Sequence, residues 1–95
     1  MKTLADLKRY LQPNARLTMT YNSWTTHHKL PWDRQVVETQ TNGVWLIDPT
    51  IPESKKSFLE FPKASRSSVW ENEKDYTWEI YEANGECSLR YSIPK

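Results

Sequence analysis

From Arg16 onward the sequence is dominated by a two-residue rhythm, in which apolar side chains recur at every second position. Residues 17–21 alternate Leu, Met and Tyr with Thr, and residues 89–93 alternate Leu, Tyr and Ile with Arg and Ser. This period is typical of a β-strand with one buried face. No second long helical pattern lies between these strands to carry the chain back for parallel pairing. The sequence therefore predicts an antiparallel sheet.

One short helix precedes the strands. Residues 4–11 carry leucines at helical spacing, and Thr3 with Asp6 three residues later forms the pattern of a capping box. Pro13 disfavours helical conformation at the residue before it, which ends the segment. A helix of about nine residues is too short to be stable alone, so we expect it to pack against the sheet.

Turn signals divide the rest of the chain into strands. Asn-Gly at positions 42–43 and again at 84–85 predicts two hairpin turns. Residues 23–33 and 49–56 are predicted loops, and Pro62 is expected to begin a single helical turn over 62–65. The predicted strands are 16–21, 34–41, 44–48, 57–61, 67–71, 76–83 and 87–93.

The length of 95 residues supports one domain, 1–95, with no room for a second core. The predicted fold is α+β, a short N-terminal helix packed on a strongly curved antiparallel β-meander of six or seven strands. Both a half-open roll and a small SH3-like barrel satisfy this pattern. Five Trp and five Tyr supply much of the area that such a small core must bury.

Charge and cysteine content restrict the partners and the compartment. A net charge of +1 argues against a mimic of polyanions and against a nucleic-acid binder held by bulk positive charge. The single cysteine, Cys87, excludes an internal disulfide and favours a reducing environment. No apolar run is long enough to span a membrane, and the N-terminus has no apolar signal core. We therefore expect a cytoplasmic protein without a membrane partner.

Metal and cofactor sites are not predicted. His27 and His28, with Asp33 and Cys87, form the only grouping that resembles a set of metal ligands. Adjacent residues on an extended segment point to opposite sides, and no Cys-x-x-Cys or His-x-x-x-His spacing accompanies them. Two solvated loop histidines are the simpler interpretation.

Catalysis is not predicted either. The sequence has no phosphate loop or nucleophile motif, and its two glycines are both assigned to hairpin turns. Cys87 is in register with Leu89 on the last strand and is expected to lie in the core. The alternative is a small hydrolase that uses the His27-His28 loop or the carboxylates of Asp48 and Glu60.

Binding residues are predicted in two groups. The first is an aromatic and basic loop, and the second is a set of cations around the strand 57–61. The candidates are Trp24, His27, His28, Lys29, Trp32, Arg34, Lys55, Lys56, Lys63 and Arg66. Such residues can anchor a protein partner or stack on the bases of a single-stranded nucleic acid. The competing interpretation is that the tryptophans cover one end of a small core.

A protein partner is favoured over nucleic acid because the net charge is nearly zero. Single-stranded nucleic-acid binding by a small barrel is the alternative. Because an exposed edge strand such as 57–61 can pair with a second copy, the chain is expected to be a monomer or a weak homodimer.

Two segments resemble parts of small bacterial proteins encoded on phages and mobile elements. They are Leu-Ala-Asp-Leu-Lys-Arg-Tyr-Leu at 4–11 and Phe-Leu-Glu-Phe-Pro-Lys-Ala-Ser at 58–65. The resemblance implies a non-catalytic accessory role and assigns no functional residue.

Overall fold

A computed structural model of the chain describes residues 3–24 and 30–95. These residues form one α-helix, one 3-10 turn and a single sheet of seven strands. The elements are α1 (Leu4–Tyr10), β1 (Arg16–Asn22), β2 (Trp32–Gln40), β3 (Gly43–Ile47), β4 (Ser57–Glu60), the 3-10 turn Ala64–Arg66, β5 (Ser67–Glu71), β6 (Asp75–Tyr81) and β7 (Cys87–Pro94). All paired strands are antiparallel, which confirms the predicted α+β class.

The capping box of α1 forms as predicted. The Thr3 hydroxyl accepts a hydrogen bond from the Asp6 backbone N–H at 3.2 Å, and the Asp6 carboxylate accepts one from the Thr3 N–H at 3.3 Å. Leu7 and Leu11 are fully buried. The helix is therefore fixed both by its N-cap and by packing of its apolar stripe on the sheet.

The sheet consists of two meanders joined through the first and last strands. Its order is β4-β3-β2-β1-β7-β6-β5, so β1–β4 form one meander and β5–β7 form the other. The pairing of β1 with β7 is the seam between them. As a result, β4 and β5 are consecutive in the chain but lie at opposite edges of the sheet.

The connection between the two edges shows that the sheet is strongly curved. A flat sheet of seven strands would separate its edges by roughly 29 Å. The chain from Glu60 to Ser67 reaches at most about 25 Å. The sheet must therefore curl, but within the described residues β4 and β5 do not pair, so it stays open. Of the two predicted forms, the half-open roll is observed and the closed barrel is not.

The helix lies beside the gap between the edges. It contacts β5, and the Lys8 ammonium lies 5.1 Å from the centre of the Phe61 ring in the connection. The inner face of the curl holds the core, where the fully buried Trp78 ring stacks on Tyr91 at 5.4 Å. Trp45 and Trp70 lie on the outer face, because each is adjacent in its strand to an inner-face residue, Leu46 or Val69.

The turns at 41–42 and 64–66 are displaced from their predicted positions. The first hairpin turns at residues 41–42, because Gly43 is already paired in β3. Glycine is required at position 43 because β4 packs closely against it, and not because of its backbone torsion. A Cβ there would lie 2.5 Å from Phe58 Cζ and closer still to the Leu59 carbonyl oxygen. The single helical turn covers Ala64–Arg66, so the predicted proline precedes it instead of starting it.

Candidate binding surface

A bulge in β1 moves Tyr21 from the inner face of the sheet to the outer face. Met19 is opposite Tyr91, and both are buried. The register then shifts, and Tyr21 is opposite Arg90 instead. A bulge adds one residue to one strand and so reverses which face the following side chains occupy. The Arg90 guanidinium consequently lies 5.7 Å from the centre of the Tyr21 ring.

A second bulge, in β7, corrects the prediction for Cys87. Ile80 is opposite Leu89, but Tyr81 is opposite Cys87, so the register shifts by one residue between these pairs. Cys87 therefore leaves the face of Leu89 and joins the outer face. It is half-buried there, and its thiol donates to the Glu79 carboxylate at 3.3 Å. The thiol belongs to a polar cluster and not to the core.

Glu79 is the centre of that cluster. Its side chain is buried and accepts hydrogen bonds from Arg90 Nε and Nη2 at 2.9 and 2.7 Å and from the Tyr81 hydroxyl at 3.1 Å. Burial acts to raise the pKa of Glu79, but the bonds from Arg90, Cys87 and Tyr81 hold it below its ordinary value of 4.5. The carboxylate is therefore ionised and anchored.

The same cluster keeps the Cys87 thiol protonated. Burial raises the thiol pKa above its ordinary value of 9.0, and the neighbouring Glu79 carboxylate raises it further. A nucleophilic cysteine needs a lowered pKa, because the thiolate is the reactive form. This arrangement thus stabilises the outer face and does not present an activated nucleophile.

An open concavity of about 870 Å³ lies next to this cluster. One side is formed by Tyr21, Ser23 and Trp24, and the other by the turn between β6 and β7 together with Cys87 and Arg90. Trp24 is the most exposed large apolar residue of the described chain, with 80% of its surface accessible. We call this concavity, with Trp24, the Trp24 surface.

Backbone hydrogen bonds hold both sides of the Trp24 surface. The Trp24 N–H donates to the side-chain oxygen of Asn22 at 2.9 Å. Across the concavity, the Glu82 N–H donates to the Glu86 carbonyl at 2.8 Å, and Gly85 adopts a φ of 88°. This left-handed conformation is favourable for glycine. The predicted hairpin is present, but its central turn residues are 83–84 and not 84–85, because the Gly85 N–H donates to the Glu82 carbonyl. Each side of the Trp24 surface thus contains at least one hydrogen bond that constrains its backbone.

The structure separates the two tryptophans of the predicted binding loop. Trp32 belongs to β2, where it is opposite Met19 on the inner face and packs against the core. Arg34 follows on the same face, with its guanidinium 5.3 Å from the Trp32 ring centre and 3.6 Å from the Asp48 carboxylate. Neither residue lines the Trp24 surface. His27, His28 and Lys29 lie outside the described residues.

The second predicted group lies around β4 and the connection to β5. Lys56 is already engaged, because its ammonium lies 3.2 Å from the Glu38 carboxylate and 5.5 Å from the Trp45 ring centre. The remaining members of the group, Lys55, Lys63 and Arg66, are exposed. Their role in binding stays a prediction.

The carboxylates proposed for a hydrolase are not brought together. Glu60 is opposite Gly43 at the start of β3, and Asp48 follows the end of that strand. Five residues of extended chain correspond to roughly 17 Å, which is too far for a carboxylate pair to act on one bond. Asp48 instead accepts two hydrogen bonds from Thr50, which lower its pKa. In the described part of the chain, no three His, Cys, Asp or Glu side chains are grouped to hold a metal.

The Glu79–Arg90 pair was not predicted, although the sequence contains a signal for it. Each residue lies five positions from the Asn84-Gly85 turn, so a simple hairpin places them opposite each other. Opposite charges at facing positions of two strands stabilise a sheet. The bulges that bring Tyr21 and Cys87 to the same face have no comparable signal.

A comparison of the chain with protein-family models, curated proteins and solved structures found no match. None of the helices in residues 3–24 and 30–95 has the length and apolar character that crossing a membrane requires. The assignment of a function therefore rests on the geometry of the Trp24 surface.

Proposed function

We propose that this chain is a small, non-catalytic, cytoplasmic binding module that contacts a partner protein through the Trp24 surface. The observation that supports this proposal is the exposure of the Trp24 ring beside an open concavity whose sides are held by hydrogen bonds. Tryptophan leads the residues that contribute most to protein interfaces, because its large ring buries much apolar area with few rotatable bonds.

The charges around Trp24 favour a protein over a nucleic acid. Glu82 and Glu86 line the concavity, and its one described cation, Arg90, is paired with Glu79. Phosphate backbones are bound by clusters of unpaired Lys and Arg. Two of the cations predicted to bind nucleic acid, Arg34 and Lys56, lie over tryptophan rings of this chain. Those cations and those ring faces are thus already engaged.

Two observations favour binding over catalysis. The cysteine at the concavity has a raised pKa, so little thiolate is present near neutral pH. The two carboxylates considered for hydrolysis are also far apart, because Glu60 on β4 is opposite the first residue of β3, whereas Asp48 follows the last. Neither the thiol nor the pair of carboxylates supplies the activated nucleophile or the acid–base pair that catalysis by these residues would need.

Selection from a displayed library of random peptides tests the proposal. The library is panned against the native chain, and each enriched peptide is then titrated against the Trp24→Ala and Trp70→Ala variants. Trp70 is the matched control, because it is also an outer-face tryptophan, with 40% of its surface exposed, and does not line the concavity. We expect binding to be lost with Trp24→Ala and retained with Trp70→Ala.

The proposal fails if no peptide is enriched, or if the two variants bind the enriched peptides equally well. Circular dichroism and urea midpoints establish that both variants are folded. A titration with a single-stranded oligonucleotide tests the alternative function. Tight binding that weakens steeply with salt would favour nucleic acid over a protein partner.

A further inference from the structure

The Trp24 surface carries two carboxylates. The carboxylates of Glu82 and Glu86 both belong to the turn that forms one side of the concavity. Within residues 3–24 and 30–95, neither forms an ion pair. The two residues are close together in the chain, so their charges add at the same place.

Arg90 does not neutralise these two carboxylates. Its guanidinium donates two hydrogen bonds to the carboxylate of Glu79, a residue that is only 8% exposed. Moving Arg90 toward the concavity would leave the Glu79 charge buried without its main partner, which is strongly unfavourable. The cation that lines the concavity is therefore committed to another residue.

The ring of Trp24 is the second feature of this surface that attracts positive charge. Elsewhere in this chain cations lie within 5.1 to 5.7 Å of aromatic ring centres, as Lys8 does over Phe61 and Lys56 over Trp45. No described cation lies over Trp24, although tryptophan attracts cations more strongly than any other ring.

From this arrangement we infer that the Trp24 surface recognises a Lys or Arg side chain of the partner protein, held between the Trp24 ring and the carboxylates of Glu82 and Glu86. The inference rests on the proposed function and specifies the chemistry of the partner. A cationic side chain matches both halves of the site, because the ring face and the carboxylates each attract positive charge.

Charged and uncharged probe peptides test this inference. Fluorescein-labelled Gly-Ser peptides that carry several lysines, arginines or norleucines are titrated by fluorescence anisotropy. Norleucine preserves the aliphatic length of lysine without its charge. We expect the lysine and arginine peptides to bind and the norleucine peptide to bind at least about fivefold more weakly.

The double variant Glu82→Gln with Glu86→Gln removes the negative charge and keeps the shape of the turn. We expect it to weaken binding of the lysine peptide by about fivefold or more. Glu73→Gln is the control, because this exposed carboxylate lies in the turn between β5 and β6 and does not line the concavity. It should change the affinity by less than about twofold.

The results distinguish this inference from the proposed function. Equal binding of the norleucine and lysine peptides, or an unchanged affinity of the double glutamine variant, would overturn the cationic ligand. If library peptides bind in a Trp24-dependent way but contain no Lys or Arg, the binding function stands and the inference is wrong. If no peptide shows Trp24-dependent binding, both are wrong.

Discussion

Glu79 and Arg90 face each other across β6 and β7, and the guanidinium donates two hydrogen bonds to one carboxylate oxygen at 2.9 and 2.7 Å. The pair belongs to a row of directly opposed residues that runs Ser68, Glu79, Arg90, Tyr21 across β5, β6, β7 and β1. This row crosses the seam between the two meanders. It therefore links the strand pairs nearest the Trp24 surface.

Arg90→Ala should lower the free energy of unfolding by about 2 kcal/mol, because it leaves the buried Glu79 carboxylate without its charged donor. The side chain of Arg90 is 45% exposed, which keeps the loss below that of a fully buried pair. Urea denaturation measures the change.

Arg9→Ala is the matched control for that measurement. Arg9 pairs with Asp6 on the helix, but its side chain is 74% exposed. Exposed ion pairs contribute little, so the loss should not exceed about 0.5 kcal/mol. Equal losses for the two variants would show that the Glu79–Arg90 pair has no special role in stability.

Acid should destabilise the fold through Glu79. The folded-state pKa of Glu79 lies below its ordinary value of 4.5, so the folded chain binds fewer protons there than the unfolded chain. The stabilisation is present above that value and is lost as the pH falls below it. Urea denaturation at a series of pH values should show this decline, and Glu79→Gln should make it shallower. An unchanged slope in Glu79→Gln would assign the decline to other carboxylates.

Alkali should destabilise the fold through Tyr91. Burial raises the pKa of Tyr91 from 10.0 to about 12, so the folded state favours the neutral phenol. The free energy of unfolding keeps its full value with respect to this group below pH 10.0. It falls by about 2–3 kcal/mol as the pH rises toward 12. Tyr91→Phe should remove this part of the alkaline loss, measured by urea denaturation. If the native chain and the variant lose stability equally, Tyr91 is not the source of the alkaline loss.

Gly43→Ala should destabilise the protein more than Gly85→Ala. At position 43 the new methyl group meets the Leu59 carbonyl and the Phe58 ring, and overpacking of this kind costs about 2–3 kcal/mol. At position 85 nothing lies within 4 Å, and the cost is the strain of a positive φ, about 1 kcal/mol. Thermal unfolding of both variants gives the comparison. The reverse order would mean that β3 and β4 separate easily at Gly43.

Local sequence patterns predicted the elements of this fold well. The capping box at Thr3, the burial of Leu7 and Leu11 and the burial of Leu17 and Met19 all follow from neighbouring residues and their period. The position of Trp32 was not predicted, because β2 begins at Trp32 and not two residues later as expected from the sequence. This earlier start places Trp32 on the inner face that Arg34 and Val36 also occupy.

The sequence by itself thus determined one capped helix, six or seven strands and their antiparallel class, since these depend on residues close together in the chain. Only the tertiary structure decided that the sheet stays open, that β1 pairs with β7, and that Tyr21 and Cys87 face outward beside Trp24. A bulge reverses the face of every residue beyond it, and its position is set by the opposing strand. The strands that meet at this surface are far apart in the chain, so no short pattern records their register.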